Sequence, residues 1–180
     1  MSPRDAWHAL LLVVCACSGP SAAIDRLWAE LEHEAEQAAP LAAPDAESEA
    51  AAADRARRAR ALHESGALRS ARDHLRAAVL LAESSSPADW PLAAELGARA
   101  AELGEPLGLR AAAEAIDKDL VAQRLPQRYG TQFVWDAVRR CWRLHPLDPA
   151  TTDEERAAMG VPPYGDLVQA EVELNLRAPR

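Results

Sequence analysis

The sequence predicts a mainly α-helical protein, an antiparallel helical bundle or stack that carries a small β-hairpin near residues 131–145. The apolar share of 49% comes mostly from Ala and Leu, while Phe, Trp and Tyr together make up only 4%. Ala and Leu favour helices, whereas β-sandwiches and barrels need β-branched and aromatic residues. Apolar residues also recur at three- and four-residue spacing along most of the chain. The length of 180 residues is that of one domain, or of one domain with an extension.

The charge balance argues against a nucleic-acid partner. The chain has 28 acidic and 20 basic side chains, which gives a net charge of -8 and a pI near 5.1. An acidic protein repels phosphates, whereas binding to a nucleic-acid backbone depends on basic side chains that displace counterions. We therefore expect the partner to be a protein or a small ligand.

Residues 1–23 are typical of a bacterial export signal. Arg4 supplies a short basic region, an apolar run follows at 9–16, and small residues occupy 18–23. The run is about half of the ~20 residues that a membrane span requires, so we expect no transmembrane helix in the mature chain. Two cleavage sites stay open: a lipobox ending at Cys17, which would be lipidated, or cleavage after Ala23. The predicted location is periplasmic, on the outer membrane as a lipoprotein, or secreted.

Cysteine content limits the covalent chemistry of the processed chain. Cys15 and Cys17 lie in the signal, so only Cys141 remains after cleavage. An intrachain disulfide would then be impossible, although the exported compartment would permit one. We expect Cys141 to be a buried, inert thiol.

Residues 24–44 predict an amphipathic helix followed by a Pro-rich linker. Ile24, Leu27 and Leu31 recur at helical spacing, and Pro40 and Pro44 block continuation of the helix. This segment precedes the predicted helical domain, which covers residues 45–176.

The first helix of that domain is expected over 45–63, with Asp45 as its N-cap. Its acidic start and basic end suit the helix dipole. The run of arginines from Arg55 to Arg60 is interpreted as a solvated face, because acidic side chains of the same helix offset it.

Three further helices follow between glycine and proline signals. Gly66 precedes a helix over 68–83, and Gly104 ends the helix that follows it. Ser86-Pro87-Ala88-Asp89 is expected to open that second helix, because it combines an N-cap, a Pro at the first position and a capping acid three residues on. The next helix begins at Pro106 and ends before Pro126. Its predicted buried stripe is Leu109, Ala112, Ile116 and Leu120.

After Pro126 the composition becomes aromatic and β-branched. Residues 131–135 and 141–144 predict two strands joined across 136–140, although that turn lacks the usual Gly or Asn. A capping box of Thr151 or Thr152 with Glu154 or Glu155 predicts a short helix that Gly160 stops. A last helix is expected over 166–176.

Catalytic and metal-binding motifs are missing from the sequence. The five His residues are scattered at positions 8, 33, 63, 74 and 145, with neither the spacing nor the Cys partners of a zinc site. The sequence contains no Gly-x-Ser-x-Gly elbow and no Gly-rich phosphate loop. We therefore expect no metal, no cofactor and no catalytic set.

One dense polar stretch remains as a candidate site. Residues 127–132 lie where the helices give way to the hairpin, and Gly130 permits a positive φ there. Because amides and a hydroxyl rarely do acid–base work, we interpret the cluster as structural, bracing buried backbone ends, with a ligand pocket as the alternative. The candidate residues are Asp117, Lys118, Gln127, Tyr129, Gly130, Thr131, Gln132 and Arg156.

The same residues carry a family resemblance. From about residue 67 to 174 the chain resembles an uncharacterised bacterial family, a domain of unknown function marked by Gln-x-[Tyr/Phe]-Gly-Thr-Gln. Residues 127–132 match that motif, Asp117-Lys118 matches an Asp-Arg pair, and residues 156–162 match an Arg followed by Met/Leu-Gly-Leu/Val-Pro. The chain differs at Lys118, at Leu125, where a Gly is common, and at Glu83-Ser84, where many relatives have a His. The resemblance implies an architecture and a candidate site, but no reaction.

Two functions follow from these observations. The leading hypothesis is a non-enzymatic interaction module of the cell envelope or periplasm, because the chain combines an export signal and an acidic helical body with no complete catalytic set. The alternative is a small-ligand binder or a hydrolase-like enzyme with its pocket around residues 127–132.

Overall fold

A computed structural model describes residues 22–37 and 46–177 of the chain. Within these ranges it contains seven helices and one two-stranded antiparallel sheet, so the predicted fold class is confirmed. The predicted signal, including Cys17 but apart from Ala22 and Ala23, lies outside the described residues, as do the predicted linker at 39–44 and the predicted N-cap Asp45. The elements are α1 (Ala22–Gln37), α2 (Ala46–Glu64), α3 (Ala71–Glu83), α4 (Trp90–Glu102), α5 (Gly108–Ala122), β1 (Phe133–Asp136), β2 (Cys141–Leu144), α6 (Asp153–Ala158) and α7 (Tyr164–Arg177).

Helix α3 lies at the centre of the bundle. It packs against α1, α2, α4 and α5, and its residues from Ala77 to Ala82 are all buried. Ile24, Leu27 and Trp28 of α1 cover one side of it, as the amphipathic pattern predicts. A helix with neighbours on most sides needs apolar residues around its circumference rather than along one stripe.

The helix boundaries follow local capping chemistry. Gly66, Gly104 and Gly160 all have positive φ just beyond a helix, as predicted. Helix α3 begins at Ala71 rather than near residue 68, because Ser70 and Asp73 form a capping box.

The predicted capping of α4 is wrong. Asp89 occupies the N-cap position but makes no capping hydrogen bond. Its carboxylate instead accepts hydrogen bonds from the Ser84 hydroxyl at 2.7 Å and from Arg60 at 2.6 Å. The Asp89 side chain therefore joins the end of α3 and the surface of α2, rather than closing its own helix.

The buried face of α5 also differs from the prediction. Leu109 is exposed, and Ile116 and Leu120 are only half-buried, whereas the residues from Ala111 to Ala115 are buried. A Cβ added at Gly97 of α4 would lie 2.7 Å from the backbone nitrogen of Ala112. Helices α4 and α5 therefore meet nearly backbone to backbone, and only small residues fit between them.

The arginine run of α2 is a solvated face only in part: Arg57 and Arg58 are exposed and pair with Asp54 of the same helix, as predicted. Arg55 is buried and pairs with Glu34 of α1 at 2.7 Å. Arg58 pairs with Glu30 of α1, and Arg60 pairs with Asp89. These ion pairs join α2 to α1 and to the residue before α4. They add contacts to a helix whose apolar face is made almost entirely of Ala.

The predicted hairpin is confirmed, with Phe133 opposite Leu144 and Trp135 opposite Trp142. The two Trp rings meet edge to face, with centroids 5.7 Å apart. In place of the missing Gly, Arg140 adopts φ 51°, and the Asp136 carboxylate accepts the backbone N–H groups of Val138 and Arg139. An Asx-type turn thus closes a hairpin that lacks the usual turn residues.

Helix α7 covers the outer edge of β2. The Asn175 amide both donates to and accepts from the Trp142 backbone, and the Glu171 carboxylate accepts the N–H of Leu144. These side chains satisfy strand groups that would otherwise be unpaired. Because residues 171 and 175 meet residues 144 and 142 in that order, the C-terminal end of α7 points toward the tip of the hairpin.

Candidate functional site

The candidate site is organised around the carboxylate of Asp117, which is fully buried on α5. Its Oδ1 accepts the backbone N–H groups of Arg128 at 2.7 Å and Tyr129 at 2.9 Å. Its Oδ2 accepts the N–H groups of Gly130 at 2.8 Å and Thr131 at 2.9 Å, and also the Thr131 hydroxyl at 2.9 Å. Four successive backbone amides therefore enclose one carboxylate. We call this arrangement the Asp117 cradle.

Gly130 gives the loop the shape that this cradle requires. Its φ of +98° turns the backbone so that successive N–H groups point to the same side. A Cβ at this position would also collide with the side chain of Leu167 on α7. The prediction of a positive φ at Gly130 is confirmed.

Gln127, at the start of the loop, holds the two ends of the motif together through its side chain, which is also fully buried. Its Nε2 donates to the backbone oxygens of Gln132 at 3.0 Å and His145 at 2.9 Å, while its Oε1 accepts the N–H of Gln132 at 2.8 Å. Its backbone pairs with residues 146 and 148 as a single parallel bridge. Gln127 thereby connects the motif to the segment that follows the hairpin.

The remaining motif side chains divide between the interior and the surface. Tyr129 is buried in a second apolar cluster with Ala113, Val161 and Leu167. The half-exposed Gln132 donates through Nε2 to the Thr131 hydroxyl at 3.0 Å and to the Glu114 backbone oxygen at 3.3 Å. Gln132 is therefore the motif amide with solvent access.

Lys118 and Arg156 do not join the hydrogen bonds of the cradle. Lys118 points toward the end of α3, where its ammonium donates to the backbone oxygen of Ala82 and lies 5.8 Å from the Trp90 ring centroid. Arg156 is buried and pairs with Asp153 at 2.8 Å, and Asp153 also accepts the N–H of Tyr164. One residue along a helix rotates a side chain by about 100°, which separates Lys118 from Asp117.

A buried carboxyl group that the sequence analysis missed lies one turn before Asp117. Glu114 accepts a hydrogen bond from Arg110 at 2.8 Å through Oε1, while its Oε2 is buried with no hydrogen-bond partner among the described residues. Burial raises the pKa of Glu114, although the Arg110 guanidinium opposes that rise. The sequence did contain a signal for this burial: Glu114 lies in an otherwise apolar run from Ala111 to Ile116, and a charged residue among apolar ones is a candidate for burial.

A groove of about 520 Å³ lies beside the cradle, on the outer side of α5. Its walls combine apolar and polar groups, and Arg128 and Glu155 form an exposed ion pair across part of it at 3.3 Å. None of the eight candidate residues lines this groove, although Arg128, at the variable position of the motif, does. The lining residues are Ile116, Leu120, Leu125, Pro126, Arg128, Asp148, Ala150, Thr151 and Glu155.

Other reactive groups are dispersed through the described chain. In residues 22–37 and 46–177 no three His, Cys, Asp or Glu side chains are grouped as metal ligands. Cys141 has a free thiol that is half-buried on β2 rather than buried as expected. Burial lowers the pKa of His145, which favours its neutral form. Nor does any helix in the described ranges combine the length and apolar character needed to cross a membrane.

Comparison of the chain with protein-family models, with curated proteins and with solved structures found no match. The resemblance to the family marked by Gln-x-[Tyr/Phe]-Gly-Thr-Gln stays a prediction from the motif itself.

Proposed function

We propose that this chain is a non-enzymatic interaction module of the bacterial cell envelope, in which the Gln-x-Tyr-Gly-Thr-Gln motif is a structural clasp. The observation that carries this proposal is the hydrogen bonding of the Asp117 carboxylate. Five donors point at its two oxygens, so few of its lone pairs remain free for a substrate group. A general base needs an accessible lone pair directed at the reacting atom.

Gln127 supports the same interpretation. Both donors and the oxygen of its amide bond to backbone groups on either side of the loop. The motif thereby joins α5, the hairpin and the segment at 145–148, and it pairs backbone groups that would otherwise be buried without partners. Internal satisfaction of this kind favours a structural role over a reactive one.

Export is proposed from the predicted signal, and the burial of Ile24 favours one of its two cleavage sites. Ile24 is 0% exposed in the first turn of α1. Cleavage after Ala23 would place a charged amino group on a buried residue at a helix N-terminus, where both burial and the dipole disfavour it. We therefore propose cleavage upstream of α1, as at the Cys17 lipobox. The mass of the mature N-terminus tests this, and an N-terminal Ile24 would contradict it.

The structural role of the motif is tested by ligand response at Gln132, because Gln132 is the motif amide with solvent access. Thermal unfolding of the wild type and of Gln132→Ala is measured against a library of small metabolites and against generic ester, phosphate and glycoside substrates. We expect lower stability in the variant, no hydrolysis by either protein, and no compound whose stabilising effect depends on Gln132. A compound that raises the Tm of the wild type but not of the variant would overturn the proposal.

The alternative, a small-ligand site, is favoured by one observation, the groove beside the motif. Apolar walls with a few charged and hydroxyl groups at the rim are typical of small-molecule sites. Ala150 is exposed and lines the groove, so Ala150→Trp would fill it without disturbing the Asp117 cradle. If the alternative holds, this variant keeps the Tm of the wild type but loses the response to any stabilising compound.

A further inference from the structure

The most exposed apolar side chains of the described chain lie together at one end of the molecule. Val138 at the hairpin turn is 94% exposed and Leu176 near the end of α7 is 79% exposed, whereas every other exposed large apolar residue is at most 51% exposed. Because the C-terminal end of α7 points toward the hairpin tip, these two residues lie at the same end of the fold. Trp135, 39% exposed, lies on the adjoining strand.

Basic side chains accompany this apolar group. Arg139 and Arg140 follow Val138 in the turn, and Arg177 follows Leu176. Arg139 pairs with Asp136, but neither Arg140 nor Arg177 has an ion-pair partner in the part of the chain that the structure describes. We call the six residues Trp135, Val138, Arg139, Arg140, Leu176 and Arg177 the tip surface.

We propose that the tip surface docks on an anionic lipid bilayer at the level of the headgroups. The inference rests on the proposed function and deepens it, because it names the partner of the interaction module. The charge is complementary: the tip surface carries three Arg in a chain of net charge -8. An acidic body is repelled by anionic lipid, while a basic tip is attracted, so the electrostatic field orients the molecule with this end toward the membrane.

The shape of the tip surface favours lipid over a protein partner. Val138 and Leu176 protrude from a turn and a helix end, and a protruding apolar side chain fits a deformable acyl boundary without a matching pocket. Arginine can extend its guanidinium to the phosphates while its methylene stem stays in apolar surroundings, and an indole such as that of Trp135 favours the bilayer interface.

The hairpin turn also satisfies the backbone requirement of such a site. Unpaired N–H groups are costly near the hydrocarbon, where water is scarce. The N–H groups of Val138 and Arg139 already donate to the Asp136 carboxylate, at 3.0 and 2.9 Å. The turn can therefore approach the acyl chains without exposing these donors.

Vesicle sedimentation tests the proposal with the full chain, carrying Cys17→Ser in every sample so that no lipid is attached and any contribution of the N-terminal apolar run is common to all. The vesicles are phosphatidylcholine alone or with about a third phosphatidylglycerol. We expect binding to the anionic vesicles, a loss of about tenfold or more with Val138→Asp, and a similar loss with Arg140→Asn combined with Arg177→Gln. Asn suits the positive φ of Arg140, so the turn is preserved.

The matched control is Leu103→Asp, because Leu103 is 41% exposed at the end of α4 and outside the tip surface. This variant should bind anionic vesicles as strongly as the protein with the unsubstituted tip surface. Circular dichroism should give all variants similar melting curves. The proposal is overturned if binding is equal on neutral vesicles or equal in Val138→Asp. Selective binding of an acidic peptide of alternating Val and Glu, or a dimer that Val138→Asp dissociates, would instead assign the surface to a protein. A failed vesicle test leaves the Gln132 ligand test of the proposed function unaffected.

Discussion

Replacement of Asp117 by Asn is the sharpest test of the cradle, because it keeps the shape of the side chain and removes one acceptor. The Asn amide can present its oxygen to either set of donors. The better choice faces the three donors of Gly130 and Thr131, which leaves the N–H groups of Arg128 and Tyr129 opposite an NH₂ group. At least two buried backbone donors then lose their acceptor in either orientation.

The expected cost follows from those two donors. Each unsatisfied buried donor costs about 1–3 kcal/mol, and hydrogen bonds to a charged acceptor lie in the upper part of that range, so Asp117→Asn should lower the free energy of unfolding by about 3–5 kcal/mol. For a domain of this size the melting temperature should fall by roughly 10 °C. Urea denaturation followed by far-UV circular dichroism gives the free energy directly.

The matched control is Asp119→Asn on the same helix. Asp119 is half-exposed, and its carboxylate accepts a side-chain hydrogen bond from Gln123 at 2.8 Å near the end of α5. We expect a change of about 0.5 kcal/mol or less there. If Asp117→Asn also changed the free energy of unfolding by less than about 1 kcal/mol, the cradle would not brace the fold as argued.

Two further substitutions test the bundle. Gly97→Ala should lower the free energy of unfolding, measured in urea, by about 1–3 kcal/mol, because the new Cβ meets the backbone of α5. The control Gly165→Ala, at a position with open space at the start of α7, should leave it unchanged. Equal effects of the two substitutions would contradict the close approach of α4 and α5. Glu114→Gln removes a buried acid whose pKa burial raises. The folded state therefore binds the proton more tightly, so wild-type stability should rise relative to the variant as pH falls from 7 toward 4.5, and a flat difference in urea titrations would count against burial as the cause.

The fold class and most helix ends were predictable because they depend on local chemistry. Gly66, Gly104 and Gly160 terminate helices through their own backbone freedom, and Thr152 forms its capping box with Glu155, three residues away. The hairpin was predictable from composition. Its turn places Arg140 at positive φ, and the Asp136 carboxylate accepts the N–H groups of the two residues before it.

The buried polar residues were less predictable. Arg55 is buried against a partner on another helix, Glu34 of α1, whereas Glu114 pairs with Arg110 of its own helix and is buried where α5 packs into the fold. A burial prediction based on residue type assigns both to the surface. The predicted buried face of α5 was wrong for a related reason. The close contact with α4 admits only small residues, whereas the hydrophobic pattern of the sequence assigns large residues to the buried face.

The sequence by itself determined which segments are helical, where the chain turns, and that residues 127–132 form an unusual polar loop. These properties depend on groups within a few residues of one another. Only the tertiary structure decided that the loop encloses Asp117 and excludes Lys118 and Arg156, and that the hairpin tip and the end of α7 form one surface. Such choices depend on which groups remain unpaired or exposed once distant segments have packed, and sequence spacing does not specify that packing.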